Sequence, residues 1–357
     1  MYEMADQSWR SRPKQMSRQT VSDSCARIAE HVRAHGLTSI RLVLHGGEPL
    51  LAGGDFIRYL VTSVRGAVAG SAQVEFSIQT NGILLGAGYL KLFDELDVHV
   101  GVSLDGDADA HDRHRRRANG TGSHTAVVRG LQELTSPPFR HLFDGLLCTI
   151  DPRNAPVATY EALVQFGPPA IDFLLPHGNW SAPPPGRLPG SAETPYGDWL
   201  AAVFDRWYSE PQQRTRVRMF SEIMRMLMGG SSRVETLGLS PVSIVVIETD
   251  GSVEQADSLK SAYQGAPETG FHVSRDSFDA ALMHPSVVAR QIGNRALSPT
   301  CQECRLKSVC GAGLYAHRYR TGNGFLNPSV YCPDLQRIIR HIEAAVSADV
   351  RRLKGEL

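Results

Sequence analysis

Short apolar runs alternate with helix-period segments through the first half of the chain, and that alternation limits the fold more than any other feature. The runs are Ile40–Leu44, Val74–Ile78, Val98–Leu104, Leu146–Ile150 and Ile171–Leu175. Between them apolar residues recur at helical spacing, as in Phe56, Leu60, Val64 and Val68, or Val127, Leu131 and Leu134. Each run is a nearly continuous string of Val, Leu and Ile, the composition of strands covered on both faces. The expected fold class is α/β, with parallel strands, helices packed outside, and closure into a barrel or part of one. A helix beginning near Thr20, with Val21, Cys25, Ile28 and Val32 on one face, stands before the first run. In such a fold a strand and its loop are expected ahead of that helix.

Beyond the fifth run, Pro176–Pro195 is rich in Pro and Gly and reads as a long loop or boundary. Helical segments follow at Asp198–Ser209 and Met219–Met228. Val242–Val253 reads as a hairpin turning at Asp250-Gly251. An amphipathic helix carrying Leu335, Ile338, Ile342 and Val346 closes the chain. This divides the sequence into a barrel core at 1–180, a Pro/Gly-rich loop and helical bridge at 181–237, and a cysteine-bearing region at 238–357.

Lys and Arg number 37 and Asp and Glu 37, so no overall field draws the chain to nucleic acid or to a membrane surface. No apolar run approaches the roughly 20 residues that span a bilayer. The opening MYEMADQSWRSRPKQ is polar and has no signal core, which predicts a cytoplasmic protein. Compartment matters for the cysteines. Four of the six fall late, as Cys301, Cys304, Cys310 and Cys332. Thiols so spaced form disulfides, a zinc site or an iron–sulfur site, and a reducing compartment disfavours the first. Cys25 on a helix face and Cys148 in a strand read as buried structural residues.

Three polar, glycine-containing motifs sit just past the ends of successive runs: His45-Gly46-Gly47-Glu48-Pro49, Gln79-Thr80-Asn81-Gly82 and Ser103-Leu104-Asp105-Gly106. The carboxyl edge of a parallel sheet is where ligands bind, because loops and strand ends converge there. Each motif alone is an ordinary turn. Three at one edge suit a cofactor that offers amine, carboxylate and hydroxyl groups. His45 and His177 stand at strand ends; both are more readily hydrogen-bonded structural histidines than catalysts. Trp180 and Tyr315 read as core residues.

The order HGGEPLL, QTNG, SLDG and HDRHR (His111–Arg115), followed by the cysteine pattern, resembles the radical S-adenosylmethionine (AdoMet) superfamily, in the branch with a SPASM-type auxiliary-cluster domain. The strings MADQSWRSRP, IETDGSVEQADSLK and GLYAHRYRTGNGFLNPSVYC look like the cyclophane-forming peptide maturases. The resemblance implies a partial (β/α)6 barrel, its first strand missing here, with a small cysteine-rich domain after it. It implies that Gly46, Gly47, Glu48 and Pro49 meet the methionyl amine of AdoMet, that Thr80 and Asn81 line the pocket, and that Ser103 reaches ribose or carboxylate. Arg115 would pair with the carboxylate, and Asp105 is either a cofactor contact or a turn cap. Cys301, Cys304, Cys310 and Cys332 would hold one auxiliary [4Fe–4S] cluster. A second auxiliary site lacks its thiols, since Gln255, Ala256, Asp257 and Leu314 stand where they are needed.

The radical cluster of this superfamily is held by a CxxxCxxC loop, and no such string occurs in these 357 residues. Either a longer chain carries it upstream, or the radical site is lost; truncation is the favoured expectation, because a barrel without its first strand exposes a sheet edge. The implied activity is oxidative C–C crosslinking of side chains in a ribosomally made precursor peptide, with flavodoxin or ferredoxin as electron donor and no nucleic acid or membrane partner. As this chain stands, it is not expected to cleave AdoMet. The alternatives are a formylglycine-forming enzyme like the anaerobic sulfatase maturases, and a non-catalytic peptide-binding protein.

Overall fold

A computed structural model describes residues 4–188, 190–242 and 244–355. Met1, where the expected missing strand would join, lies outside the described residues, as do Pro189 of the Pro/Gly loop and Ser243 of the hairpin. Six strands form one parallel sheet in sequential order: β1 (Ser39–Leu44), β2 (Gln73–Thr80), β3 (Val98–Ser103), β4 (Phe143–Thr149), β5 (Ala170–Leu174) and β6 (Arg216–Val217). The helices between and around them are α1 (Arg18–His35), α2 (Gly54–Ala67), α3 (Ala87–Glu95), α4 (Ala108–His114), α5 (His124–Leu134), α6 (Pro156–Val164), α7 (Pro195–Tyr208) and α8 (Arg218–Leu227). The five strands read from sequence are therefore present, within a few residues of their expected ends.

β3 lies inside the sheet, and its Val98, Val100 and Val102 are fully buried. At the β1 edge, exposed residues alternate with half-buried ones. Parallel register brings the carboxyl ends together: Leu44 pairs with Ile78, Thr80 with Val102, Ser103 with Leu147, and Thr149 with Leu174. The loops that follow these residues therefore open on one edge, as βα topology requires.

The cysteine-bearing region is built around a small antiparallel sheet of β7 (Val246–Ile247), β8 (Ser252–Glu254) and β9 (Glu268–His272). The hairpin does turn at Asp250-Gly251; Gly251 has φ +98° and its N–H donates to the Glu248 carbonyl at 2.9 Å. Its strands are shorter than the sequence suggested. The short helices α9 (Phe278–Leu282), α10 (Pro285–Val288), α11 (Pro299–Glu303) and α12 (Lys307–Cys310) follow, and α13 (Cys332–Leu353) ends the fold. β6 and β9 escaped the sequence reading. β6 has only two residues, one of them Arg216, and β9 contains Thr269 and Gly270, so neither presents an apolar run.

The two halves share one core. α13 packs on α7 and α8 through buried Leu335, Ile338, Ile339 and Ile342. The Asp334 carboxylate, buried near the start of α13, accepts the N–H groups of Tyr196 (2.9 Å) and Gly197 (3.0 Å) and so caps α7. Arg187, from the Pro/Gly-rich loop, reaches Asp334 at 3.4 Å and donates to the Val330 carbonyl at 3.0 Å. No helix among the described residues is long and apolar enough to cross a membrane.

Candidate functional site

The loop after β1 is fixed by its own glutamate. Glu48 accepts the Thr80 hydroxyl at 2.7 Å, the Asn81 N–H at 2.8 Å and the Leu50 N–H at 3.1 Å. Both carboxylate oxygens are thereby used to join the end of β1 to the end of β2. Thr80 Oγ1 in turn accepts the Gly82 N–H, and Asn81 Oδ1 accepts that of Ile83. Gly46 needs its φ of +52° to make the loop, and Gly46 and Gly47 remain exposed beside Pro49. A ligand here meets backbone that is open on one side and locked by Glu48 on the other.

The β3 motif is tied down in a similar way. Gln79 Nε2 donates to Ser103 Oγ at 3.2 Å, and the Gln79 side chain occupies the space over Gly101, where a Cβ has no room. Asp105 takes a forked pair from Arg115 (Nε 2.5 Å, Nη2 3.2 Å) and also accepts the Thr149 N–H at 2.8 Å. Asp105 thus bridges the ends of β3 and β4, and Arg115 is already neutralised. The Asp105 N–H donates to His111 Nδ1 at 3.2 Å, and Ser123 Oγ, which itself donates to the Arg115 carbonyl, accepts from His111 Nε2 at 3.0 Å. Burial lowers the His111 pKa to about 4, with Arg115 and His124 adding to the effect, so the ring is neutral. The neighbouring Arg113 is engaged elsewhere, with Asp151 (2.9 Å) and Asn154 (2.6 Å).

Tertiary structure adds groups to this mouth that spacing did not reveal. Asp257, from the turn after β8, places Oδ2 3.9 Å from His45 Nδ1. Lys260 bridges Asp257 (2.9 Å) and Glu248 (2.6 Å), and those carboxylates raise its pKa against the effect of burial. His177 at the end of β5 is open to solvent, yet the surrounding protein lowers its pKa; its ring lies 6.4 Å from that of His317. His317 is buried and held neutral, its pKa lowered to about 3 chiefly by desolvation. Asp257 and His317 both lie in strings that carry the family resemblance, but nothing in those strings set either residue at this mouth.

The four late cysteines stand close enough to feel one another. Burial, and then the proximity of Cys332, pushes the Cys310 pKa up to about 12, with Cys301 adding a smaller effect. Cys332 is raised by burial, which the Gln336 amide at 3.3 Å opposes and Cys301 and Cys304 reinforce. Thiols gathered in one partly buried place repel as thiolates unless a cation joins them, so the donor set fits a metal centre. Among the described residues no three of these sulfurs lie within 4.8 Å of one another. Zinc bonds of 2.3 Å in a tetrahedron would hold sulfurs about 3.8 Å apart. Four thiolates are the ligand set of either a zinc ion or an iron–sulfur cluster.

Three successive left-handed residues, Gly311 (φ +57°), Ala312 (φ +61°) and Gly313 (φ +65°), follow Cys310. They turn the Ala312 N–H toward the Cys310 sulfur. The turn is strapped from behind by buried Arg318, which donates to the carbonyls of Gly311 (2.6 Å), Ala312 (3.1 Å) and Gly313 (2.8 Å). Cys25 and Cys148 are buried free thiols, as their structural reading expected. Trp180 donates to the Pro328 carbonyl at 2.7 Å, and Tyr315 stacks on Phe325 with centroids 4.4 Å apart.

Residues 7–144 match the radical SAM superfamily. Over 349 residues the chain is 26% identical to a serine-type anaerobic sulfatase-maturating enzyme of Klebsiella aerogenes, covering 92% of this chain and 80% of that one. A cysteine-type anaerobic sulfatase-maturating enzyme of Clostridium novyi is 25% identical over 303 residues, 80% of this chain and 76% of that one. The structure is similar in fold to native anSMEcpe with bound AdoMet and Cp18Cys peptide, with TM-score 0.78 and 20% identity over 94% of this chain and 92% of that chain.

Proposed function

We propose, for a chain whose residues 7–144 match the radical SAM superfamily, that it oxidises a side chain of a peptide or protein, and that the reaction is conversion of Ser or Cys to formylglycine rather than side-chain crosslinking. The observation that carries this order is the reach of the similarity. It runs with sulfatase-maturating enzymes through 349 residues, across both the sheet and the cysteine region, and is not confined to the shared superfamily segment.

The strand-end loops supply the AdoMet pocket in this reading. Gly46, Gly47 and Pro49 offer backbone, Glu48 holds Thr80 and Asn81 in place, and Ser103 lines the next position. Arg115 presents its charge already balanced by Asp105. AdoMet with a reduced [4Fe–4S] cluster supplies a 5′-deoxyadenosyl radical that abstracts hydrogen. The CxxxCxxC that would hold that cluster is not in these 357 residues, so AdoMet cleavage needs its thiolates from outside them. Cys301, Cys304, Cys310 and Cys332 would hold an auxiliary [4Fe–4S] cluster, which offers an electron acceptor. Flavodoxin or ferredoxin would be the donor that renews reducing equivalents.

Once the radical has taken a hydrogen atom, loss of one electron to the auxiliary cluster and of one proton turns the alcohol into an aldehyde, or the thiol into a thioaldehyde that water converts to aldehyde and sulfide. Asp257 is the carboxylate set at the mouth, near His45 and paired with Lys260, and is placed to take that proton. The test uses the protein isolated without oxygen from its native source, given AdoMet, a one-electron reductant, and peptides containing Ser or Cys. A hydrazide-reactive aldehyde together with 5′-deoxyadenosine is expected, and Asp257→Asn is expected to slow its formation by about 100-fold while peptide binding persists. A product that has lost hydrogen but does not react with hydrazide would establish crosslinking instead. Peptide binding without 5′-deoxyadenosine would leave a binding protein.

A further inference from the structure

Away from the strand ends, α1 and α9 meet at a cluster that no part of the proposed reaction uses. His31 and His35 are one helical turn apart on α1 and so share a face. Asp279 lies in the first turn of α9, whose start is fixed by Ser277 accepting the Ala280 N–H at 3.1 Å. Asp279 Oδ1 is 2.9 Å from His31 Nδ1 and 2.8 Å from His35 Nε2. All three atoms lie within 4.8 Å of one another, and the imidazole centroids are 4.4 Å apart. The His31 ring stands edge-on to Phe278, at 6.0 Å and 70°, which fixes its plane.

We propose that His31 Nδ1, His35 Nε2 and Asp279 Oδ1 form a binding site for a borderline divalent transition ion of the Zn2+ and Ni2+ class, with water completing the coordination. Two imidazoles and one carboxylate suit such ions, whereas Ca2+ and Mg2+ want oxygen throughout. The spacing suits them too. Ligand bonds of about 2.0–2.1 Å set neighbouring donor atoms about 2.9 Å apart in an octahedron and about 3.3 Å apart in a tetrahedron. The imidazole nitrogens stand 2.9 and 2.8 Å from Asp279 Oδ1, so rotation of the side chains by a few tenths of an ångström admits the ion between them. One carboxylate and two neutral rings leave a divalent ion with a single net positive charge at a solvent-facing site, which water tolerates. Bound there, the ion staples α1 of the sheet-bearing half to α9 of the cysteine-bearing half. The inference does not depend on the proposed reaction.

Zn2+ is the probe, added to the full chain purified without oxygen with its cysteine centre loaded. Calorimetry is expected to show one Zn2+ site per chain that weakens by about tenfold or more in His35→Ala and in Asp279→Asn. X-ray absorption at the zinc edge is expected to show nitrogen and oxygen neighbours at about 2.0–2.2 Å and no sulfur shell at 2.3 Å. Zn2+ should also raise the wild-type melting temperature and leave the two variants where they melt in EDTA. Unchanged affinity in the variants, or a zinc spectrum made of sulfur alone, would overturn the site and reduce the trio to an imidazole–carboxylate hydrogen-bond cluster.

Discussion

Around the strand ends, carboxylates from one loop hold the backbone and side chains of the next. Glu48 ties β1 to β2, and Asp105 with Arg115 ties β3 to β4, each through donors within a short reach of a strand terminus. Around the cysteines, backbone shape and long-range burial do that work. Gly311 to Gly313 are left-handed, Arg318 straps their carbonyls, and Asp334, two residues past Cys332, is anchored to α7 far away in the chain. One region is assembled by the parallel sheet that carries it. In the other, Cys332 opens α13 and so depends on the docking of that helix to meet the thiols of α11 and α12.

That difference can be broken at its strongest point. Asp334→Ala leaves the Arg187 guanidinium buried and two α7 N–H groups unpaired, and should cost about 3–5 kcal/mol in a denaturant titration. If the proposed cluster sits on the four cysteines, the variant should also take up less iron on reconstitution, while the sheet's circular dichroism stays intact below the transition. Equal iron content in variant and wild type would show that the thiol set does not rely on the docked helix. Gly311→Ala comes next. Its φ of +57° disfavours a side chain, and a Cβ there overlaps the Gly238 carbonyl, so about 2–4 kcal/mol should be lost. Full stability in that variant would mean that the turn after Cys310 has room to shift.

On the barrel side the expected effect is smaller. Glu48→Gln keeps the shape but removes the charge that three donors share, for a loss of about 2 kcal/mol and weaker AdoMet retention in equilibrium dialysis. Unaltered retention would separate the clamp from the ligand pocket.

The least effect is in a network joining the front of the chain to the hairpin. Glu254 is buried beside Arg12, which also pairs with Glu248 and Asp250. Burial, with Glu248 nearby, raises the Glu254 pKa to about 7 although Arg12 opposes the shift. An acid raised on folding is more easily protonated in the native state. Its contribution to stability is complete below its unfolded pKa of about 4.3 and is lost as pH climbs through the folded value. The ceiling on that loss is about 4 kcal/mol, and relaxation of the Arg12 network around the newly charged carboxylate reduces it to about 1–2 kcal/mol. Unfolding measured at pH 5 and pH 8 should show this fall in the wild type and a flatter profile in Glu254→Gln. An equal slope in both would assign the pH dependence to other groups.

Much of the barrel was legible before its structure. Five strands and the helices between them followed from apolar runs and helical spacing, because in a parallel sheet both signals are local. β6 was not legible, since a two-residue strand is defined by its neighbour β5 and by no pattern of its own. The three motifs at the strand ends were correctly placed on one edge by register alone. Their internal wiring was hidden: nothing in the string HGGEP says that Glu48 spends its oxygens on Thr80, Asn81 and Leu50. The motif SLDG does not reveal that Asp105 has already claimed Arg115.

By itself, the sequence determined the strand and helix alternation, the shared edge of the glycine motifs, and the four thiols as a set apart from Cys25 and Cys148. These depend on residue type and short spacing. Only the tertiary structure decided that Asp257 faces His45, that His317 lies beside His177, that Asp334 caps α7, and that His31, His35 and Asp279 converge. Each of those contacts joins residues distant in the chain, and chain folding brings them together only after apolar surfaces such as that between α13 and α7 have chosen their partners.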